Sequence, residues 1–406
     1  MVPAAFLPAL RRYALAVHAI PVEERRRRLA VRHHVAPAER VGGVLQTARD
    51  LVCLHASDPA TVYLSARARM KRGTIQAVDR ALYEDRELVR MLAMRRTMFV
   101  IPVDEAATFH AAASLAVART ERRRTEQIVG MLGVRNVTKW IRDAERGALA
   151  ALDARGEATA REIAQDVPAL RKQTVINAGK PYEAKLGMAG RILLQLAVDG
   201  RIVRGRPIGS WISSQYRWST IEHWLGHPFE PVPVDQARAT LITRWLERFG
   251  PGTEADIRWW TGWSAGVVRK ALAAIGAVEV DLEGASGFVL PDDLDPTPKG
   301  RPWVALLPSL DPTTMGWKER DWYLGSHRKA LFDTNGNAGP TIWVDGRIVG
   351  GWAVRPEGEV VTRLLEDVGR ETERAVTREA AALSMWYGSV RHIPRFPAPL
   401  YRELVG

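Results

Sequence analysis

Six consecutive residues, Cys53 to Asp58, place a thiol, an imidazole, a hydroxyl and a carboxylate side by side. Asp58-Pro59 reads as a helix N-cap followed by proline at the first helical position. That puts His55 and Ser57 on a short link between two helices, expected over 43–54 and 59–70. With small Ala56 between them, both side chains face one way if the link is extended. An imidazole and a hydroxyl beside a helix N-terminus can hold a water or favour developing negative charge. The same residues also fit a plain connector in which Ser57 and Asp58 merely cap the next helix. A Cys53–His55 nucleophile fits poorly, because residues two apart on a helix point ~200° apart. A lone cysteine is more often a small buried hydrophobe.

Other chemistry-bearing residues have weaker patterns. His223 and His227 stand four apart, yet lack the glutamate of a zinc-protease helix and any apparent third ligand. His33-His34 cannot both face one way on a helix, and solvent exposure is expected for them. Lys71 is the lysine nearest His55 and could form a Schiff base, although a solvated lysine explains it as well. Asp311, followed by Pro312, reads as a turn or cap. Trp259, Trp260, Trp263, Trp317 and Trp322 read as core packing before base stacking, though a flipped base does need an aromatic or apolar wall.

Charge gives the strongest statement about partners. Lys and Arg number 58 against 46 Asp and Glu, a net charge of +12. The excess is uneven: residues 1–250 sum to +15 and residues 251–406 to −3. Arginine supplies 49 of the 58 cations, and its planar fork suits phosphate oxygens and stacks on bases. A GC-rich coding sequence would also inflate arginine, but not the asymmetry along the chain. Candidate phosphate contacts are Arg95 and Arg96 at a hairpin turn, Arg201, Arg204 and Arg206 on a later strand, and Arg347 in an Asp-Gly hairpin. Arg122-Arg123-Arg124 fits a charged helix face equally well, and the run EERRRR over 23–28 reads as a solvated helix end.

The elements that would position these residues recur. Residues 141–218 read as helices over 144–154 and 160–166, a further helix ended by Gly200, and a two-stranded hairpin. The same order follows at 234–290, with helices over 234–249, 253–260 and 264–275 and strands over 277–282 and 287–290. A looser copy lies at 43–101, with a third helix over 75–82 and strands over 87–94 and 97–101. Three helices and a hairpin make the winged-helix order, and three copies in a basic chain point to nucleic acid. Beyond residue 296, Asp345-Gly346 predicts a hairpin. A helix is expected over 357–383, with Val361, Leu364, Leu365 and Val368 on one face.

The fold class expected is therefore α+β: three tandem winged helices over 1–140, 141–230 and 231–295, and a C-terminal β-rich α+β domain over 296–406. At 406 residues a core is ample. No run is long and apolar enough for a membrane helix, and Arg11 and Arg12 break up the N-terminus as a signal peptide. The single cysteine excludes a disulfide framework and paired-thiolate zinc sites. A cytoplasmic protein is expected.

In order, the segments LVCLHASDPATVYLSARAR, RRTMFVIP, GRIVRGRPIGSWISSQYRW, FGPGTEADIRWWTGW, LLPSLDPTTMGWKERDWYLG and GNAGPTIWVDGRIVGGW resemble the tandem winged-helix DNA glycosylases, the AlkZ and YcaQ-like proteins. The resemblance spans about residues 40–352. It implies winged helices around a concave basic DNA channel and excision of alkylated or crosslinked bases without metal or organic cofactor. It also implies action as a monomer on DNA, with no membrane association. Family members carry glutamine–apolar–glutamine or glutamine–apolar–aspartate before the Asp-Pro, where the attacking water is held. This chain has His55-Ala56-Ser57 there, so the catalytic pair carries over by position and not by identity. The substrate left open is an alkylated, crosslinked or deaminated purine. The alternative from another class is a winged-helix DNA binder without chemistry.

Overall fold

The computed structural model describes residues 18–406; the N-terminus with Arg11 and Arg12 lies outside them. The EERRRR run is no solvated helix end. It falls inside the helix Val22–Arg32, where Glu24 and Arg28 are buried. Opposite charges make this tolerable: Arg28 Nε donates to Glu24, one turn back, at 2.8 Å and its Nη1 to Asp293 at 3.1 Å.

The helix expected over 43–54 is overturned. It is a shorter helix, Val44–Asp50, then a turn with Val52 at φ 64°, then strand β1 (Leu54–His55). Residues 51–56 are all buried, so no face alternates and a buried strand reads like a buried helix. Asp58 then starts the helix Pro59–Arg69 as expected, accepting from the Ala60 amide at 3.1 Å. Strands β2 (Leu88–Leu92) and β3 (Met98–Pro102) form the expected hairpin, in sheet order β1-β3-β2. Arg95 and Arg96 make its turn, at φ 54° and 60°.

A similar succession follows. Helix Val137–Arg155 leads to β4 (Ala158–Thr159) and the helix Ala160–Asp166, started by a Thr159–Glu162 capping box. A hairpin that the expected order does not include follows, β5 (Gln173–Ile176) with β6 (Ala184–Gly187). Helix Met188–Val198 precedes β7 (Ile202–Pro207) and β8 (Tyr216–Thr220), in sheet order β4-β8-β7. Helices Val234–Phe249, Glu254–Thr261 and Ala265–Ala274 then lead to β9 (Val278–Leu282) and β10 (Ala285–Val289).

The last part is a four-stranded antiparallel sheet, β11 (Val304–Leu307), β12 (Thr341–Val344), β13 (Arg347–Val354) and β14 (Val360–Leu364), in that order. Asp345-Gly346 turns β12 into β13 as the sequence indicated. The helix expected over 357–383 is present only from Arg370, as the helix Arg370–Tyr387, and its first part is β14 instead. β-Branched Val360, Val361 and Thr362 favour the strand, so Val361, Leu364, Leu365 and Val368 share no helix face.

Two large cores result. One is formed by the segments 128–218 alone, around Ile141, Leu152, Ile192 and Leu196. The other runs continuously from the first helices through Trp245 and Phe249 to the C-terminal sheet. Its polar centre is Asp311, fully enclosed, which takes a bidentate pair from Arg69 (2.7 and 2.9 Å), the Ser65 hydroxyl (2.7 Å) and the Thr313 amide (2.9 Å). The turn expected at Asp311 is there, and it also locks the Pro59–Arg69 helix to the C-terminal part. His33, expected in solvent, is buried instead. Its ring bonds to the Thr313 hydroxyl (2.8 Å) and the Arg248 carbonyl (3.0 Å), which satisfies both nitrogens.

Candidate functional site

Strand β1 ends at His55 and Ser57 lies in the bend that follows, so the extended link that would present both side chains on one side is not formed and they meet different surroundings. Ser57 is half-buried and lines a cleft of about 440 Å³. His55 stands behind that wall, 7% exposed, with its ring 5.4 Å from Phe99 in an edge contact. The Ser57 amide N–H points at His55 Nδ1 at 3.5 Å, the outer limit of a hydrogen bond. Burial, and then the neighbouring Arg95 guanidinium, push the His55 pKa down to about 3. The imidazole is therefore neutral at pH 7 and is not the imidazolium that a general acid requires.

Asp58 does more than cap. Its carboxylate also accepts from His392 Nε2 (3.0 and 3.1 Å) and from the Arg395 amide (2.9 Å). Burial would raise its pKa; the bonds from His392, Arg395 and Ala60 outweigh that and hold it below the ordinary carboxylate range. This ties the C-terminal segment across the start of the helix. Arg395 then reaches the Ser57 carbonyl with its guanidinium at 3.0 Å, and Arg395 and Phe396 enter the cleft wall. Sequence reading missed both, as well as His392. The available signal was a basic–aromatic pair between Pro394 and Pro397.

The candidate arginines divide sharply. Arg204 lines the cleft together with Arg96, Arg395 and Tyr216. Arg96 is already paired with buried Glu121 at 2.6 Å. Arg95 lies over the Trp259 ring at 4.1 Å instead of projecting freely. Arg206 is held by Asp79 (3.5 Å) and Glu84 (3.2 Å), outside the cleft. Arg201 is exposed on a separate concave surface with Arg122, Arg142 and Arg146, where Arg122 is engaged by Glu145 and Asp199. Arg347 is paired with Glu366 at the rim of another cleft, beside Arg26 and Arg301.

Cys53 is buried, and burial raises its thiol pKa well above the usual value, so it is no nucleophile. Among the described residues no group of three His, Cys, Asp or Glu side chains is placed to hold a metal, and His223 and His227 acquire no third ligand. Trp260 and Trp317 are buried in the core, whereas Trp259 is half-buried between the guanidinium groups of Arg95 and Arg320.

This arrangement of helices and sheets has solved counterparts. A Streptomyces sahachiroi DNA glycosylase, AlkZ, aligns with a TM-score of 0.68 at 22% identity, over 94% of this chain and 99% of that one. This likeness establishes the fold. The family model for AlkZ-like DNA glycosylases matches residues 48–386, and the chain belongs to that family. It is also 30% identical over 211 residues to a Streptomyces sahachiroi interstrand DNA cross-link repair glycosylase, covering 50% of this chain and 56% of that relative. The match thus spans little more than half the relative's length.

Proposed function

We propose that this chain is a monofunctional DNA glycosylase that releases a cationic, nitrogen-7-alkylated purine and leaves an abasic site. The three helix–hairpin successions are read as winged helices, over 1–140, 141–230 and 231–295, lining a concave basic channel with the domain over 296–406. The protein acts as a cytoplasmic monomer. Of the six candidate arginines, Arg204 at the cleft and exposed Arg201 are the ones left to contact DNA, whereas Arg95, Arg96, Arg206 and Arg347 are already engaged within the protein.

The observation that carries the substrate assignment is the cleft lining, which among the described residues holds Ser57 but no carboxyl or imidazole, with His55 behind it and kept neutral by burial. N-glycosidic cleavage passes through an oxocarbenium-like sugar and needs a placed water. A deaminated purine such as hypoxanthine leaves better when protonated, and among the described residues lining this cleft there is no carboxyl or imidazole to protonate it. A nitrogen-7-alkylated purine already carries positive charge. The water oxygen bonds to C1′ as the C1′–N9 bond breaks. The bonding pair stays on N9 and cancels the ring charge, and the water's proton passes to solvent. Ser57 holds the water with its hydroxyl, His55 fixes the Ser57 main chain, and Asp58 fixes the helix start behind both. The relative's reported action on interstrand crosslinks is in keeping with an alkylated purine as the leaving group.

Release of 7-methylguanine from duplex DNA, scored as strand breaks in alkali, tests this. The expected rate is flat from pH 5 to pH 8, because burial pushes the His55 pKa down to about 3, below that range. A rate falling above pH 6.5 would mean a protonated imidazole acts as the acid and would overturn the assignment. The second reading, a DNA binder without chemistry, is favoured by one observation: His55 does not reach the cleft surface. Tight duplex binding with no base release would establish it.

A further inference from the structure

Three guanidinium groups meet at the cleft without a carboxylate among them. Arg204 comes from β7 and Arg395 from the tethered C-terminal segment, and both line the cavity. Arg90 comes from β2 and is 3% exposed beneath them. Arg90 and Arg204 lie 5.3 and 5.6 Å from the ring of Tyr216, which also lines the cavity. Among the described residues none of the three guanidinium groups has a carboxylate within 4.0 Å, Asp58 meeting Arg395 only at its main-chain amide, in contrast to Arg28, Arg69 and Arg191 in the core.

The cluster is under strain of a definite kind. Both terminal nitrogens of Arg90 and the Nε of Arg204 are buried with no hydrogen-bond partner. Burial first, and then the charges of Arg90 and Arg395, lower the Arg204 pKa to about 10. Unpaired buried cations are costly, and like charges gathered without a counter-ion are costlier still. Cation–π contact with Tyr216 offsets only part of this. An anion in the cleft would relieve it, with Arg204 and Arg395 supplying donors and Arg90 adding field from below. Arg96 cannot replace them, because Glu121 already neutralises it.

We propose that the cleft holds one phosphodiester of the damaged strand, next to the flipped nucleotide, between Arg204 and Arg395. This deepens the glycosylase reading and rests on it for the identity of the anion as DNA. Arg395 is bonded to the Ser57 carbonyl, so a phosphate gripped there sets the distance from the sugar to the Ser57 hydroxyl. It also places negative charge near the oxocarbenium-like sugar and masks the arginines from it. Arg204 and Arg395 are thus positioning residues. They fix where the strand lies without touching the reacting atoms.

Two measurements on the full chain test this apart from the glycosylase activity. In the first, inorganic phosphate is titrated at constant ionic strength and thermal stability is read. The midpoint is expected to rise in the wild type and in Arg269→Gln, an exposed residue already paired with Glu254, and not in Arg204→Gln or Arg395→Gln. In the second, duplexes with a stable abasic analogue carry a neutral methylphosphonate on its 5′ or its 3′ side. One position is expected to weaken wild-type binding by about tenfold, and to have no further effect in Arg204→Gln. Equal phosphate response in all variants, or no effect of either methylphosphonate, would overturn the proposal even if base release is observed. A phosphate response without any base release would uphold the anion site and overturn the glycosylase reading instead.

Discussion

Arg69 and Arg204 are the same residue type in opposite settings. At the Asp311 junction Arg69 is fully enclosed and spends its fork on a carboxylate, with both terminal nitrogens bonded at 2.7–3.0 Å. At the cleft Arg204 is half-buried, faces Tyr216, and shares its surroundings with Arg90 and Arg395 but no carboxylate. The first arrangement is closed and holds two parts of the chain together. The second is open and electrically incomplete, which is what a surface for a polyanion requires. An arginine's role here is decided by its partner, and that partner lies far away in sequence: Asp311 is 242 residues from Arg69.

The contrast can be broken most forcefully at its closed side. Asp311→Ala leaves the Arg69 charge buried and unpaired, at an expected cost of about 3–5 kcal/mol. Urea denaturation would read it, and an unchanged midpoint would mean the junction is not structural. Next comes His55→Ala, expected to lower base release by ~100-fold because a displaced Ser57 main chain misplaces the water, while leaving the folded state intact by circular dichroism. Ser57→Ala should cost less, because water can be held in part by the surrounding main chain.

Asp58→Ala joins the two regions' logic, since Asp58 caps a helix and also tethers the cleft-lining segment. Loss of the cap is worth about 1–2 kcal/mol. Released from Asp58, Arg395 and Phe396 no longer line the cleft, so KM should rise more than kcat falls. An unchanged KM would mean the tether does not shape the site.

A smaller effect concerns pH. Burial holds both His33 and His55 below the ordinary imidazole value, His55 at about 3. Between ~6.5 and those folded values the unfolded chain binds more protons than the folded one. Their contribution is therefore complete above pH 6.5 and is lost as pH falls below it. The thermal midpoint should drop from pH 7.5 to pH 5, and drop less in His55→Asn. Equal drops in both proteins would place the sensitivity elsewhere.

What was legible in the sequence follows from range. The Asp58-Pro59 cap, the Arg95-Arg96 turn and the Asp345-Gly346 hairpin depend on neighbours, and each is where local chemistry put it. The 43–54 helix failed because a segment buried on both faces has no periodicity to read, and the first part of 357–383 failed because β-branched residues there outweigh the apolar spacing. His33 was misjudged because its two partners, Thr313 and Arg248, are more than 200 residues away. For the same reason the sequence separated Arg204 from Arg206 by nothing at all, while the fold gives Arg206 to Asp79 and Glu84 and gives Arg204 to the cleft. Arg90, His392 and Arg395 went unnoticed because nothing local sets them apart from the other basic residues.

The measurement that bears most directly on the His55–Ser57 pair is base release from a panel of duplexes, with His55→Ala run alongside. The panel carries a nitrogen-7-alkylguanine, hypoxanthine, uracil or an interstrand crosslink, one lesion per duplex. The expected result is release of the alkylguanine by the wild type, little or none of hypoxanthine or uracil, and loss of the activity in His55→Ala. An unchanged rate in His55→Ala, or hypoxanthine released as fast as the alkylated base, would contradict a neutral histidine–serine pair acting on a cationic leaving group.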